Sequence, residues 1–130
     1  MELDKKKLIF TALYRSPSQS SDEFETFLNN FESDLGIISS LNPYIFTILG
    51  DFNAKSSNWC PRDITSQQGF EIDAVTSYYG LHQLITEPTH VLPLSSSCID
   101  LIFTSQPNLI CDSGVLLSLS NNCHHKFLQN

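Results

Sequence analysis

The sequence holds no apolar run of about 18 residues, the length a membrane-spanning helix needs. Its opening, MELDKKKLIF, has charge on both sides and no apolar stretch leading to a small-residue cleavage site. Neither membrane insertion nor secretion is expected. Basic residues are scarce, 7 against 14 acidic, for a formal net charge of −7. Such a chain repels a phosphate backbone unless a cation or a local basic patch intervenes. That argues against simple electrostatic binding of nucleic acid but not against an enzyme whose carboxylates hold a divalent metal; solvated surface acids account for the same excess. No two of the four cysteines, Cys60, Cys98, Cys111 and Cys123, have CxxC spacing. Buried thiols in a reducing compartment are therefore expected rather than a disulfide framework, which places the chain inside the cell, in nucleus or cytoplasm. Repeats, low-complexity tracts and obvious linkers are missing as well.

What remains is enough for a core. The chain has 130 residues, 41% of them hydrophobic and nine of them Phe, about one domain or part of one. KLIFTALYRSP begins as a Leu/Ile/Phe run and ends as a strand before Pro17, because proline cannot donate to a ladder. SSDEFETFLNNFESDLGIISSL sets Phe24, Phe27, Leu28, Phe31 and Leu35 on one helical stripe. Ser20 and Glu23 have capping-box spacing, and Asp22 and Glu23 put negative charge at the positive end of the dipole. YIFTILG, preceded by the helix-ending Asn42-Pro43, reads as a strand buried on both faces and closed by Gly50. A second helix is expected from about Gln68 to Tyr79, with Phe70, Ala74, Val75 and Tyr78 on one side and Gly80 as its stop. Further strands are expected at Leu81 to Leu84, Cys98 to Thr104 and Val115 to Leu119. Strands alternating with helices make an α/β layered architecture.

Two stretches carry chemistry. In ILGDFNAKSSNW a buried strand ends and presents Asp51 and Asn53. Ligands of α/β folds sit beyond strand ends, and in extended chain these two residues project to one side as a carboxylate and an amide, a pair suited to a phosphate, a metal-bound water or a sugar hydroxyl. Asp and Asn are also ordinary turn formers. SSSCIDLIFTS repeats the construction, with Asp100 inside an apolar strand, where a carboxylate is rarely buried without a partner. NNCHHKF offers His124 and His125; a histidine held by a buried aspartate serves as general base or as a phosphate-stabilising imidazolium, although a single His is more often a surface residue.

Together, YRSP, LGDFNA, SCIDLIF and the closing histidine pair resemble the endonuclease/exonuclease/phosphatase superfamily, in the branch carried by jockey-type non-LTR retrotransposons. The resemblance runs from about Leu8 to Phe127 and includes GLHQLITEPTH, similar to the family's connector. It implies a partial four-layer α/β sandwich, the C-terminal half of that fold, and a metal-dependent phosphodiesterase that nicks DNA with Mg²⁺ or Mn²⁺. By the resemblance, Asp51 polarises the attacking water and is a metal ligand, Asn53 steadies that water and the phosphate oxygens, and Tyr14 contacts the scissile phosphate. Asp100 orients the catalytic histidine, His125. Where the family ends in Ser-Asp-His, this chain has Cys123, His124 and His125. The family's early Asn and metal-gripping Glu have no counterpart here, and Glu2, Glu23 and Glu25 sit in no matching motif. The expectation is thus an endonuclease-domain fragment of impaired metal binding, with DNA as the parent domain's substrate, no membrane partner, and self-association through a sheet face that the missing half leaves open. The alternative is a non-catalytic remnant that keeps the fold and at most binds a partner or nucleic acid. A third reading makes Cys98, Cys111, Cys123, His124 and His125 a zinc site.

Overall fold

The computed structural model describes residues 6–87, 90–92, 95–110, 114–116 and 127–129, with backbone alone for the segments within 90–97 and for 114–116 and 127–129. The elements in chain order are β1 (Leu8–Tyr14), α1 (Ser21–Ser40), β2 (Ile45–Asp51), α2 (Gln67–Tyr78), β3 (His82–Gln83), β4 (His90–Leu92), β5 (Ser95–Ser97), β6 (Asp100–Thr104), a 3-10 turn at Pro107–Leu109, β7 (Gly114–Leu116) and β8 (Phe127–Gln129). The expected α/β character holds. Strands β4, β5 and β8 were not foreseen; the expected strand at Val115 to Leu119 is met by β7, and residues 117–119 lie outside the described residues.

The principal sheet has the order β1-β2-β6-β3, with β1 and β2 parallel and β6 antiparallel to both neighbours. A parallel pair needs a crossover connection, and α1 supplies it. That helix forms as its sequence dictates. Ser20 Oγ accepts the Glu23 N–H at 3.2 Å while Glu23 Oε1 accepts the Ser20 N–H at 3.4 Å, a complete capping box. Phe24, Phe31 and Leu35 are buried, and Phe27 and Leu28 pack partly buried beside them. The helix ends at Leu41, and Asn42 follows in the left-handed region with φ of 49°, where Asn is one of the few residues readily accommodated.

Alternation along the strands sorts the sheet into two faces. Ile9, Leu13, Phe46, Ile48, Leu101 and Phe103 meet the helices in one core with Phe24, Phe31, Leu35 and Ile72. Edge-to-face aromatic contacts run through it, Phe31 to Phe52 at 6.0 Å, Phe52 to Phe103 at 5.2 Å and Trp59 to Phe103 at 5.7 Å between ring centroids. On the opposite face, Leu8 and Phe10 of β1 are 56% and 57% exposed.

Two expectations need correction. Gly50 does not close its strand; β2 continues to Asp51, and glycine is required because a Cβ at position 50 would lie 2.0 Å from the Leu13 carbonyl oxygen. Helix α2 does not bury Phe70, Ala74 and Tyr78: Phe70 and Tyr78 are 63% and 80% exposed, and the buried positions are Gly69, Ile72 and Thr76. The reason is again a close approach. A Cβ on Gly69 would come within 1.8 Å of the Lys55 carbonyl oxygen, so the helix packs through its slimmest face. Ser66 caps α2 by accepting the Gly69 N–H at 3.0 Å, and Asn58 and Trp59 pin the preceding loop to Asp73 at 2.7 and 3.2 Å. Among the described residues no helix is long and apolar enough to cross a membrane.

Candidate active site

Register decides which groups meet. Tyr14 and Asp51 are partners across the parallel β1–β2 pair, and Asp51 and Asp100 are partners across the antiparallel β2–β6 pair. Register partners share a face, so Tyr14, Asp51 and Asp100 form one row over three strands at the end of the sheet where β1 and β2 finish and β6 starts. Tyr14 is 70% exposed, Asp51 is half-buried and Asp100 is 9% exposed. Asp51 and Asp100 thus stand as two carboxylates opposite one another on neighbouring strands. Three of the five site residues expected from sequence are thereby brought together. His125 lies outside the described residues, as does His124.

The fifth, Asn53, is held differently from the expectation. The chain leaves the strand after Asp51, and Asn53 adopts the left-handed region with φ of 45°, so it does not stand beside Asp51 on extended backbone. Its N–H donates to Asp51 Oδ1 at 3.1 Å and its Nδ2 donates to the Arg15 carbonyl at 2.6 Å. The carboxylate is thus oriented by the turn it begins, as Asp residues commonly are. Between them Phe52 is fully buried, and its N–H donates to the Ile99 carbonyl at 2.8 Å, tying the turn to the residue before Asp100.

Arg15 locks this arrangement. Its side chain is 5% exposed; Nε donates to the Phe52 carbonyl at 2.6 Å, Nη1 to Gln19 Oε1 at 2.8 Å, and Nη2 to the Asn53 carbonyl. Its backbone N–H donates to the Asp51 carbonyl at 2.9 Å, and the guanidinium lies 5.2 Å from the Phe24 ring centroid. Burial pulls its pKa below the ordinary value, and the negative charge of Asp51 opposes that shift. Arg15 therefore joins the end of β1 to all three carbonyls of the Asp51–Asn53 turn, to Asp51 through its backbone N–H and to Phe52 and Asn53 through its guanidinium. In the sequence YRSP marks the strand end and carries Tyr14 into the resemblance; the sole hint of the clamp is a charged residue directly after an apolar strand.

Cys98 lies beside Cys60 and Asp63, neither of which figured in the zinc reading; Cys111, Cys123, His124 and His125 lie outside the described residues.

The row of a phenol and two carboxylates is an all-oxygen donor set at an open sheet end, suited to a hard cation and to a phosphate that shares it. The family model for endonuclease-reverse transcriptase matches residues 8–126. The endonuclease domain of TRAS1, a telomere-specific non-LTR retrotransposon, aligns with a TM-score of 0.68 at 22% identity, over 88% of this chain and 52% of that one. A likeness at that identity is one of fold, and the mixed α/β architecture is the one it shows. The chain spans about half the length of that solved domain. No curated protein matches the chain.

Proposed function

This chain belongs to the endonuclease-reverse transcriptase family, the retrotransposon type of endonuclease/exonuclease/phosphatase domain, and from that premise we propose that it carries the phosphate-side half of a metal-dependent phosphodiesterase site acting on DNA. The observation that supports this most is the cross-strand row of Tyr14, Asp51 and Asp100, whose middle member is oriented by a clamped turn. Mg²⁺ or Mn²⁺ fits here because such ions are commonly held by one or two carboxylates together with substrate phosphate. Asp51 would hold it, with Asp100 adding negative potential from the next strand. When bound, the ion supplies a Lewis acid that offsets charge developing on the phosphorus centre.

The chain's own residues do the rest. Asp51, its Oδ1 fixed by the Asn53 N–H, presents its carboxylate for polarising and deprotonating the attacking water. The exposed phenol of Tyr14 donates to a phosphate oxygen at the open edge of the row. By the family resemblance, buried Asp100 would orient the imidazole of His125, which lies outside the described residues, and stabilise its protonated form. Asn53 acts mainly through the turn, since its amide donor is engaged with Arg15. Leu8 and Phe10, on the open face of β1, form the surface through which a second copy would associate.

The test is nicking of supercoiled plasmid by the purified chain with Mg²⁺ and with chelator, beside Asp51→Asn and His125→Ala. Asn at position 51 keeps an acceptor for the Asn53 N–H, so the turn survives. Metal-dependent nicking that falls by about 100-fold or more in both variants is expected. Nicking equal in parent and variants, or none at all, would leave a non-catalytic remnant that keeps the fold.

A further inference from the structure

Away from that row, the loop between β2 and α2 and the approach to β6 bring together two sulfurs and a carboxylate. A Cys60 Sγ, an Asp63 carboxylate oxygen and the Cys98 Sγ all lie within 4.8 Å of one another. The three residues are 3%, 9% and 0% exposed. Their backbone is fixed: the Asp63 N–H donates to the Cys60 carbonyl at 2.9 Å, the Cys60 N–H to the Ser56 carbonyl at 3.1 Å, and the Cys98 N–H to Asp63 Oδ2 at 3.2 Å. Cys60 Sγ faces the Thr86 carbonyl at 3.8 Å.

We propose that Cys60, Asp63 and Cys98 form a Zn²⁺ site that staples the β2–α2 loop to the entry of β6, its fourth position filled by water or by the Glu87 carboxylate. A tetrahedral zinc ion at its usual Zn–S length of about 2.3 Å sets two sulfurs about 3.8 Å apart, so shifts of under about 1 Å complete the geometry. The chemistry agrees. Burial, Cys60, Asp63 and Glu87 all raise the Cys98 thiol pKa, in that order from the first, so without a cation the sulfur keeps its proton. A zinc ion displaces the protons from both thiols and gives the buried carboxylate a counter-charge that apolar surroundings do not. Sulfur ligands select zinc over magnesium, which separates this site from the oxygen-only row at the sheet end. Its position matters because Cys98 stands two residues before Asp100.

The proposal does not depend on nuclease activity, and neither does its test. The full chain, kept reduced, is titrated with Co²⁺ and then Zn²⁺, following thiolate-to-cobalt charge-transfer absorption and the melting temperature. One equivalent of Co²⁺ should develop the band, Zn²⁺ should bleach it and raise the melting temperature, and excess Mg²⁺ should do neither. Asp63→Asn, a mild change checked for folding by circular dichroism, should weaken zinc binding by about tenfold or more. The Cys60→Ser, Cys98→Ser pair should abolish the band. Absence of the band and of any zinc-dependent melting shift in the reduced parent would overturn the proposal. Persistence of the band in the double-serine variant would overturn it too, and assign the metal to Cys111, Cys123, His124 and His125.

Discussion

Replacing Arg15 with alanine removes three donors at once: Nε to the Phe52 carbonyl at 2.6 Å, Nη1 to Gln19 Oε1 at 2.8 Å, and Nη2 to the Asn53 carbonyl. Phe52 is wholly buried, so its carbonyl loses its partner where water has poor access. A buried acceptor left without a partner costs about 1–3 kcal/mol. The Asn53 carbonyl is only part-buried and adds less, so the two together give about 2–4 kcal/mol. Losing the contact with the Phe24 ring adds about 0.5–1 kcal/mol, while relief from burying the cation works in the other direction. A net loss near 3 kcal/mol is expected, a large share of the total stability of about 5–15 kcal/mol typical of native domains. In urea, with a slope of about 1–3 kcal/mol per molar, the unfolding midpoint should fall by about 1–3 M at unchanged slope. Arg15→Lys should recover less than half of this, because one ammonium cannot reproduce the planar fork that reaches three acceptors. Gln19→Ala, which removes one half-buried acceptor, should cost under about 1 kcal/mol. An Arg15→Ala variant within about 1 kcal/mol of the parent, or full recovery by lysine, would refute the clamp.

Gly50→Ala puts a Cβ 2.0 Å from the Leu13 carbonyl oxygen, so β1 must move; a loss above about 2 kcal/mol in urea melts is expected, and nicking should fall with it because Asp51 is the next residue. Ser20→Ala removes the hydroxyl that accepts the Glu23 N–H, leaving the Ser20 backbone N–H to Glu23 half of the box, and should lower stability by about 1 kcal/mol, read by the same melts. Cys98 has a thiol pKa raised by burial above its ordinary value of 9.0, so the unfolded chain gives up that proton first. The stability this represents is complete below about pH 9 and is lost as pH rises beyond it, by about 1.4 kcal/mol per pH unit. Melts from pH 8 to 10.5 in chelator should show that slope in the parent and a shallower one in Cys98→Ala.

What could be read in the chain divides along the range of the forces involved. Helix α1 was legible from cap to buried stripe because periodicity and the Ser20–Glu23 reciprocity are local. Asp51 and Asp100 were legible singly, each as an acid at an apolar strand, but their opposition is a matter of register between distant segments. Asn53 was misplaced because a left-handed turn leaves the same signature as a continuing strand end. The buried face of α2 was misread because the Lys55 backbone at Gly69 outweighs the Phe70 and Tyr78 stripe. Arg15 stayed hidden since its partners on the turn are main-chain carbonyls, which no side-chain pattern reports. That Cys60 and Asp63 stand beside Cys98 escaped notice for the same reason as the acid pair, since only tertiary packing joins them.

The opposed direction of β6 has a consequence for how the molecule comes into being. Had β6 run parallel to β2, its far end would have met Asp51 and its first residue would have stood at the opposite rim of the sheet. Because it runs back, residues 14, 51 and 100 become neighbours only after two long chain segments have closed. Such closures are slow compared with forming a helix or a local pair. A nascent or partly refolded chain with α1 and the β1–β2 pair already in place therefore has a hydrophobic core in the making and no acid pair. The last long-range pairing then brings Asp100 to the Tyr14–Asp51 pair and completes the row.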